Sequence, residues 1–285
     1  MNTAANTDTW GVEVLYFGKI SMPLSTMLSV CYAFGAPAIQ HDPYMSAPYL
    51  GFLLTRGERR VVVDTGISAK FIVDGKAWAG LEAEGGETYV KRALAEKGLG
   101  PEDIQTLVYT HLHNDHAGNC GLFPQAQHVF QKAEWENLLN PLPIQNVRKD
   151  YDAAIIDEFA LLQTHVVDGD VGLEPGIDLY ATPGHTRGSQ SVAVRMKKGT
   201  VVLVGDLLTS YISAFPQSTQ IEDMEGRLHE VPPAPEVFGN AIPSSVTYDF
   251  YEWYESVKRV QGIASRNEPG FVIPGHETSL VAKGL

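Results

Sequence analysis

The chain has 285 residues, of which 44% are hydrophobic and 19% are charged, a composition typical of soluble globular proteins. Its 21 basic and 34 acidic residues give a formal net charge of −13, which disfavours nucleic acids and anionic membrane surfaces as partners, because both are polyanions. Two cysteines are too few for a disulfide framework, and no secretory signal or transmembrane stretch is visible. We therefore expect a cytoplasmic protein.

Strands and helices alternate along the first half of the chain. Runs rich in β-branched and aromatic residues predict strands, and apolar residues at helical spacing predict helices. The predicted strands are 12–16, 49–54, 60–63 and 106–110, and the predicted helices are 87–97 and 132–139. The segment 140–152 has two prolines and little periodicity, so we expect a loop or a short lid there.

The same alternation continues in the second half. The predicted strands are 177–181, 190–195, 201–204 and 271–273, and the predicted helix is 248–261. The Pro-rich segment 207–245 has no regular pattern, and we expect it to form a substrate pocket together with residues 21–45. The apolar residues that would line the pocket, or else belong to the core, are Met22, Met27, Phe34, Tyr44, Ile212 and Phe215. No linker separates the halves, so we predict one domain over residues 1–285. We expect an α/β (α+β) fold with two sheets packed face to face and helices outside.

A dense cluster of metal-binding residue types follows the strand at 106–110. His111, His113, Asp115 and His116 lie within six residues, in the pattern H-x-H-x-D-H. An extended turn can aim His111 and His113 the same way, while Asp115 and His116 face a second position. Without a cation these groups would contribute no useful packing, and they would repel one another when protonated. The pattern therefore predicts a metal site.

Three further candidate ligands each follow a glycine at the end of a predicted strand. They are His185 after Gly184, Asp206 after Gly205 and His276 after Gly275. A glycine at such a point lets the backbone turn sharply beside a bulky site. Strand ends are rigid supports, as precise metal geometry requires. We therefore expect all these side chains to meet at one edge of the sheets.

Seven candidate ligands suit two metal ions better than one. They are His111, His113, Asp115, His116, His185, Asp206 and His276. Ring nitrogens and carboxylate oxygens without a thiolate favour Zn²⁺, and Fe²⁺, Co²⁺ or Mn²⁺ would also fit. In hydrolytic sites such a pair lies about 3.5–4 Å apart and activates a bridging water as the nucleophile. We therefore predict a hydrolase with two divalent cations that share one carboxylate.

The whole pattern resembles the metallo-β-lactamase superfamily, in which H-x-H-x-D-H is followed by a distant His, Asp and His. The run Val63-Asp64-Thr65-Gly66 is similar to the superfamily's strand-end Asp motif, whose carboxylate supports the loop with the H-x-H-x-D-H pattern, here residues 111–116 and called the metal loop below. The resemblance implies a four-layer αββα sandwich. It also implies a first metal on His111, His113 and His185, a second on Asp115, His116 and His276, and Asp206 as the bridging ligand.

Within this superfamily, several runs resemble the N-acyl-homoserine lactonases, which are quorum-quenching enzymes. These runs are 111–119, 129–134, 186–191 and 275–277. The resemblance implies a zinc-dependent lactonase, in which a hydroxide bridging the metals attacks the lactone carbonyl and Asp115 passes a proton to the leaving alkoxide. The implied substrate is a small lactone with an apolar portion.

One position departs from the lactonase pattern. Many such enzymes carry a Tyr three residues after the bridging Asp, where this chain has Thr209. Tyr211 is the nearest tyrosine, and it either takes over the catalytic role or packs within its loop. The candidate catalytic residues are therefore Asp115, Asp206 and Tyr211.

Other reactions stay open on the sequence alone. The same metal pair could hydrolyse another ester, a thioester, a β-lactam or an organophosphate. A di-iron redox protein is a different class, which we disfavour because the chain lacks a flavodoxin domain and because the metal loop of that branch prefers Glu. The sequence also leaves the oligomeric state open, and a homodimer is one possibility.

Overall fold

The centre of the fold is formed by two β-sheets. The computed structural model describes residues 8–28, 44–230, 233–234, 236, 239 and 241–285. The larger sheet contains β1 (Gly11–Pro23), β2 (Tyr44–Arg56), β3 (Arg59–Val63), β4 (Ala83–Glu84), β5 (Thr106–Val108), β6 (Gln127–Gln131) and β7 (Gln163–Val167). Its strand order is β4-β1-β2-β3-β5-β6-β7, with β3, β5, β6 and β7 parallel to one another.

The smaller sheet follows in the chain. Its strands are β8 (Val171–Glu174), β9 (Ile177–Ala181), β10 (Gln190–Met196) and β11 (Gly199–Gly205), and, after the separate hairpin β12 (Gln220–Glu222) and β13 (Leu228–Glu230), β14 (Val272–Pro274). The order is β14-β11-β10-β9-β8. In this sheet β14 runs parallel to β11, and the other neighbours are antiparallel.

Nine α-helices are present in the described parts of the chain. They are α1 (Leu24–Met27), α2 (Glu87–Ala95), α3 (Asn114–Ala117), α4 (Lys132–Leu139), α5 (Pro143–Arg148), α6 (Ala154–Phe159), α7 (Tyr211–Ala214), α8 (Phe250–Ile263) and α9 (Ser279–Lys283). Short 3₁₀ turns lie at Ala69–Phe71, Trp78–Gly80, Pro101–Asp103 and Cys120–Leu122. None of these helices is both long enough and apolar enough to cross a membrane.

Alternation along the strands places the sheets back to back between helices. Val63 of β3 packs in one core with residues of the smaller sheet, such as Val192. Its neighbour Val62 points to the opposite face and packs in a second core with residues of α2 and α6. On the smaller sheet, α8 contributes the buried Trp253 and Val257. The layers are therefore helix, sheet, sheet and helix, which confirms the predicted αββα sandwich.

Most predicted elements are present, and the differences have physical causes. The segment predicted as a loop at 140–152 contains α5, which begins at Pro143, a residue compatible with the first turn of a helix. Strand β7 was not predicted because four of its five residues are exposed, so it lacks an apolar pattern. The irregular segment 207–245 contains α7 and the β12–β13 hairpin.

Both sheets direct candidate ligands to a single edge. His111 follows β5 in the larger sheet, whereas His185, Asp206 and His276 follow β9, β11 and β14 in the smaller one. Gly275 donates its N–H to the Gly205 carbonyl at 2.9 Å, so the ends of β11 and β14 are joined directly beside Asp206 and His276. The site therefore forms only where the two sheets meet.

Candidate metal centre

Three histidines converge on one point. The Nε2 atom of His185 lies 3.2 Å from Nε2 of His111 and 3.1 Å from Nδ1 of His113. All three side chains are buried. Nitrogens bound at 2.0–2.1 Å to a tetrahedral Zn²⁺ are separated by roughly 3.3 Å. The spacing of these ring nitrogens therefore matches one face of a tetrahedral metal site.

A second group lies beside the first. Nε2 of His116 and Nε2 of His276 lie 3.3 and 3.0 Å from Oδ1 of Asp206. Oδ2 of Asp115 is 3.9 Å from His116 and 3.7 Å from His276. The other oxygen of Asp206, Oδ2, faces His185 at 3.6 Å. Asp206 thus presents one carboxylate oxygen to each group, which is the arrangement expected of a bridging ligand.

Unpaired polar atoms show that a cation fits between these groups. Nε2 of His116 and Oδ1 of Asp206 are fully buried and make no hydrogen bond of acceptable geometry with the described residues. Leaving such atoms unpaired costs about 1–3 kcal/mol each. The ligand atoms of each of three overlapping trios lie within 4.8 Å of one another: His111, His113 and His185; His111, His116 and Asp206; and Asp115, His116 and His276. The donor set therefore suits divalent metal ions.

The electrostatics of the histidine trio and of Asp206 favour the protonation states that metal ligands need. Burial, followed by the neighbouring histidines, lowers the pKa of His111 and His113 well below its usual range. Burial lowers the pKa of His185 to about 4. Burial acts to raise the pKa of Asp206, but His276 and His116 outweigh it and hold that pKa well below its ordinary value. The three histidines are thus neutral and Asp206 is ionised, as metal binding requires. In the second group burial acts to lower the pKa of His116 and His276, but Asp206 and Asp115 outweigh it and raise that pKa, so a metal ion would displace protons there.

Asp64 supports the metal loop through hydrogen bonds. Its Oδ2 accepts hydrogen bonds from Nδ1 of His116 at 2.9 Å and from Oγ1 of Thr110 at 2.8 Å, and its Oδ1 accepts the Thr110 N–H at 2.8 Å. The residue lies directly after β3 with a φ of 61°, a conformation uncommon for residues other than glycine. By fixing Nδ1 of His116 as a donor, Asp64 directs Nε2 toward the metal position. This is the supporting role implied by the resemblance.

Glu134 joins the two loops that carry the histidine trio, a role that was not predicted from the sequence. Its Oε1 accepts the Leu112 N–H at 3.0 Å, between His111 and His113. Its Oε2 accepts the Thr186 hydroxyl at 2.6 Å, directly after His185, and the Gly188 N–H at 3.1 Å. The carboxylate is fully buried. The only sequence signal was its place in the run 129–134 that resembles the lactonases.

Tyr151 completes this support. Its hydroxyl donates to Oε1 of Glu134 at 2.8 Å, and its ring packs edge-on against His113 with a centroid distance of 4.8 Å. The His113 ring is therefore in edge-on contact with both Tyr151 and His185. Sequence reasoning placed Tyr151 in a loop and gave it no role.

The structure does not place Tyr211, predicted as a candidate catalytic residue, in the cavity that contains the candidate metal ligands. Its hydroxyl accepts the N–H of Gly270 at 2.9 Å, and its ring contacts Phe215. Tyr211 lines a separate cavity with Met45 and Glu277. Tyr211 is the first residue of α7, and its N–H donates to Oε2 of Glu277 at 2.6 Å. Thr209 lies at the metal side instead, with its hydroxyl donating to the Met27 carbonyl at 3.3 Å.

A cavity of about 420 Å³ opens onto the metal centre. Its wall is largely apolar and includes Ile20, Met22, Met27, Trp78, Leu81 and Val246. Its floor includes five candidate ligands, His113, Asp115, His185, Asp206 and His276. Of the apolar residues expected in the pocket, Met22 and Met27 are there, whereas Ile212 lines the Tyr211 cavity. Phe34 and the side chain of Tyr44 lie outside the described residues.

Comparisons with known proteins agree with this architecture. Residues 50–276 match the model of the metallo-β-lactamase superfamily. An N-acyl homoserine lactonase of Bacillus cereus is 30% identical over 167 residues, which are 56% of this chain and 63% of that relative. The chain thus matches less than two thirds of the length of this curated relative.

Solved structures show the same fold at lower identity. A structure of an N-acyl homoserine lactone hydrolase with N-hexanoyl-L-homoserine at its catalytic metal centre has a TM-score of 0.70 and 21% identity, over 95% of each chain. AidC, a dizinc quorum-quenching lactonase with a bound product, has a TM-score of 0.65 and 16% identity, over 94% of this chain and 87% of its own. The protein described here belongs to the metallo-β-lactamase superfamily, and its resemblance to N-acyl homoserine lactonases is confirmed.

Replacing Glu134 with Gln should weaken metal binding. In either orientation of the Gln amide, its NH₂ group faces N–H or O–H donors that are paired with a carboxylate oxygen in the wild-type protein. Those hydrogen bonds are lost, so the two loops that carry the histidine trio are no longer held in alignment. We expect the metal dissociation constant to rise about 10- to 100-fold, measured by competition with a chromophoric chelator. Glu136→Gln, an exposed position of the same helix, is the control. Equal affinities in the two variants would show that Glu134 does not position the ligands.

Replacing Tyr211 with Phe should affect stability rather than turnover. The variant loses the hydrogen bond from the Gly270 N–H, which should lower the free energy of unfolding by about 1 kcal/mol. Its kcat should remain within twofold of wild type, because the hydroxyl is not at the metal centre. Urea denaturation and steady-state kinetics test this, with the 89% exposed Tyr251→Phe as the control. A tenfold loss of kcat would restore a catalytic role.

Proposed function

We propose that the protein is a binuclear metal-dependent lactonase that opens acyl-homoserine lactones or related lactones. The observation that carries this proposal is the pair of ligand groups that share Asp206 on the floor of an apolar cavity. The names of the curated relatives and of the solved structures support the same reaction. The cavity has the size of a small-molecule site, since such sites hold about 300–1,000 Å³.

Two groups of side chains would hold the metals. His111, His113 and His185 form the first group, Asp115, His116 and His276 form the second, and Asp206 lies between them. We propose zinc, because neutral nitrogen and carboxylate oxygen donors without a thiolate suit it well. When bound, such a pair supplies Lewis acidity toward a carbonyl oxygen and activates water at neutral pH.

The chain itself orients the substrate and moves a proton. Asp115 lies at the cavity floor with 13% of its side chain exposed, and its Oδ2 is farther from His116 and His276 than Oδ1 of Asp206 is. This carboxylate can therefore reach a substrate atom. We assign it the removal of a proton from the attacking water and the transfer of that proton to the ring oxygen as the C–O bond of the ring breaks. The cavity floor is otherwise buried, which keeps bulk water from the reacting carbonyl.

The apolar wall favours a substrate with an alkyl portion. Met22, Met27 and Trp78 would contact such a chain, and burying each CH₂ group contributes about 0.8 kcal/mol. A homoserine lactone with an alkyl acyl chain therefore fits the cavity better than a short polar ester does.

A hydrolysis panel on zinc-loaded protein tests the proposed function. The panel contains short- and long-chain homoserine lactones, simple γ- and δ-lactones, an aryl ester, S-lactoylglutathione and a β-lactam. We expect kcat/KM to be highest for a lactone, and we expect activity to be lost after chelator treatment and restored by zinc. Faster turnover of the thioester or the β-lactam would assign a different reaction to the same metal centre. Activity that survives complete metal removal would refute the metal-dependent mechanism.

A further inference from the structure

Arg148 stands out in the wall of the cavity above the metal centre. Among the described residues that line this cavity it is the one Arg or Lys side chain. It lies at the end of α5 with 34% of its side chain exposed, and the same cavity contains His113 and His185. A guanidinium group has five N–H donors in a planar fork. Such a group beside a largely apolar wall needs an explanation.

The guanidinium is held from one side only. Its Nε lies 3.4 Å from Oδ1 of Asp150, whose Oδ2 accepts the hydroxyl of Tyr248. The two terminal nitrogens of Arg148 make no hydrogen bond or ion pair with any other described residue. Asp150 therefore fixes the near side of the fork, and the far side keeps donors available to a molecule in the cavity.

The backbone around Arg148 is fixed to the metal loop. The Asp150 carbonyl accepts the Asn114 N–H at 2.8 Å, and the Lys149 carbonyl accepts Nδ2 of Asn114 at 2.6 Å. Nε1 of Trp78 also lies 3.3 Å from the Lys149 carbonyl. Asn114 immediately precedes the candidate ligand Asp115. The position of Arg148 is therefore set relative to the metal centre, as a substrate-orienting group requires.

The charge balance indicates what Arg148 binds. Its positive charge is already paired with the Asp150 carboxylate, so a second carboxylate would give the pair a net negative charge. A neutral carbonyl oxygen accepts a hydrogen bond without that cost. In an acyl-homoserine lactone the amide carbonyl is such an acceptor, and it lies a few bonds from the lactone carbonyl that reacts.

We propose that Arg148 determines specificity by donating a hydrogen bond from its guanidinium group to the amide carbonyl of an acylamino lactone. This inference rests on the proposed lactonase function. It predicts that the enzyme prefers acylamino lactones to alkyl lactones of the same length, and that the preference is due to Arg148.

Kinetics with two matched substrates test the proposal. N-hexanoyl-homoserine lactone carries the amide, and α-heptyl-γ-butyrolactone replaces it with methylene groups. For Arg148→Met we expect kcat/KM on the acylamino lactone to fall roughly 10- to 100-fold, mainly through KM, because a hydrogen bond to a charged group is lost. The alkyl lactone should change by less than about twofold, and the metal content should not change.

Two further variants separate local effects from folding effects. Arg148→Lys keeps a positive charge beside Asp150 but lacks the fork, so it should lose an intermediate part of the acylamino preference. Arg187→Met removes an exposed arginine from a neighbouring cavity that is also lined by Gly184 and Thr186, and it should change kcat/KM for neither substrate. If Arg148→Met and Arg148→Lys affect both lactones equally, or neither, the proposal is overturned.

Binding to lactam analogues distinguishes this inference from the proposed function. Calorimetry with N-hexanoyl-3-aminopyrrolidin-2-one and 3-heptylpyrrolidin-2-one needs no turnover. If Arg148→Met loses affinity for the acylamino lactam alone, the result supports the proposed hydrogen bond from Arg148. This holds even if the wild-type protein hydrolyses no lactone, and then only the lactonase proposal fails. If the wild-type protein hydrolyses lactones but does not prefer acylamino lactones to alkyl lactones, only the role proposed for Arg148 is refuted. Wild-type protein that binds neither lactam and hydrolyses no lactone refutes both.

Discussion

Five imidazoles and two carboxylates buried within a few ångströms of one another are the constraint on which this structure depends. Such groups are costly to bury unless each has a partner, and several of their polar atoms have none among the described residues. The side chains are nevertheless held at the spacing of metal ligands. Folding therefore builds a site in which Nε2 of His116 and Oδ1 of Asp206 gain a partner when cations bind, and metal binding should in turn stabilise the fold.

The sandwich supplies the rigidity that this crowding needs. The larger sheet carries Asp64 and the His111 loop, and the smaller sheet carries His185, Asp206 and His276 at the ends of three strands. Neither sheet contains a complete ligand group. Glu134 bonds to both loops of the histidine trio, so a buried carboxylate that need not touch metal fixes one sheet's ligands relative to the other's. The positions of the candidate metal ligands therefore depend on how the two sheets pack.

The sequence predicted those parts of the site that are encoded locally. The H-x-H-x-D-H loop and the steps from glycine to ligand are short patterns with a direct chemical meaning, and the αββα layers follow from the alternation of strands and helices. Glu134 was missed because its partners Thr186 and Gly188 are 52 and 54 residues away. The sequence left two roles open for Tyr211, because the one-turn helix that begins there is too short to show periodicity.

The position of Arg148 could not be predicted from local sequence patterns either. Its segment resembled a loop, and only the hydrogen bonds from Asn114 to the carbonyls of Lys149 and Asp150 reveal that it is fixed to the metal loop. The role proposed for Arg148 therefore rests on tertiary contacts of a short helix, whereas the pattern of candidate metal ligands is encoded in local motifs.

Anomalous diffraction at the zinc absorption edge, from crystals of zinc-loaded protein, tests the central claim most directly. The account predicts two peaks about 3.5–4 Å apart. One should lie among His111, His113 and His185, the other among Asp115, His116 and His276, with Asp206 contacting both. A single peak, or peaks away from these side chains, would contradict it.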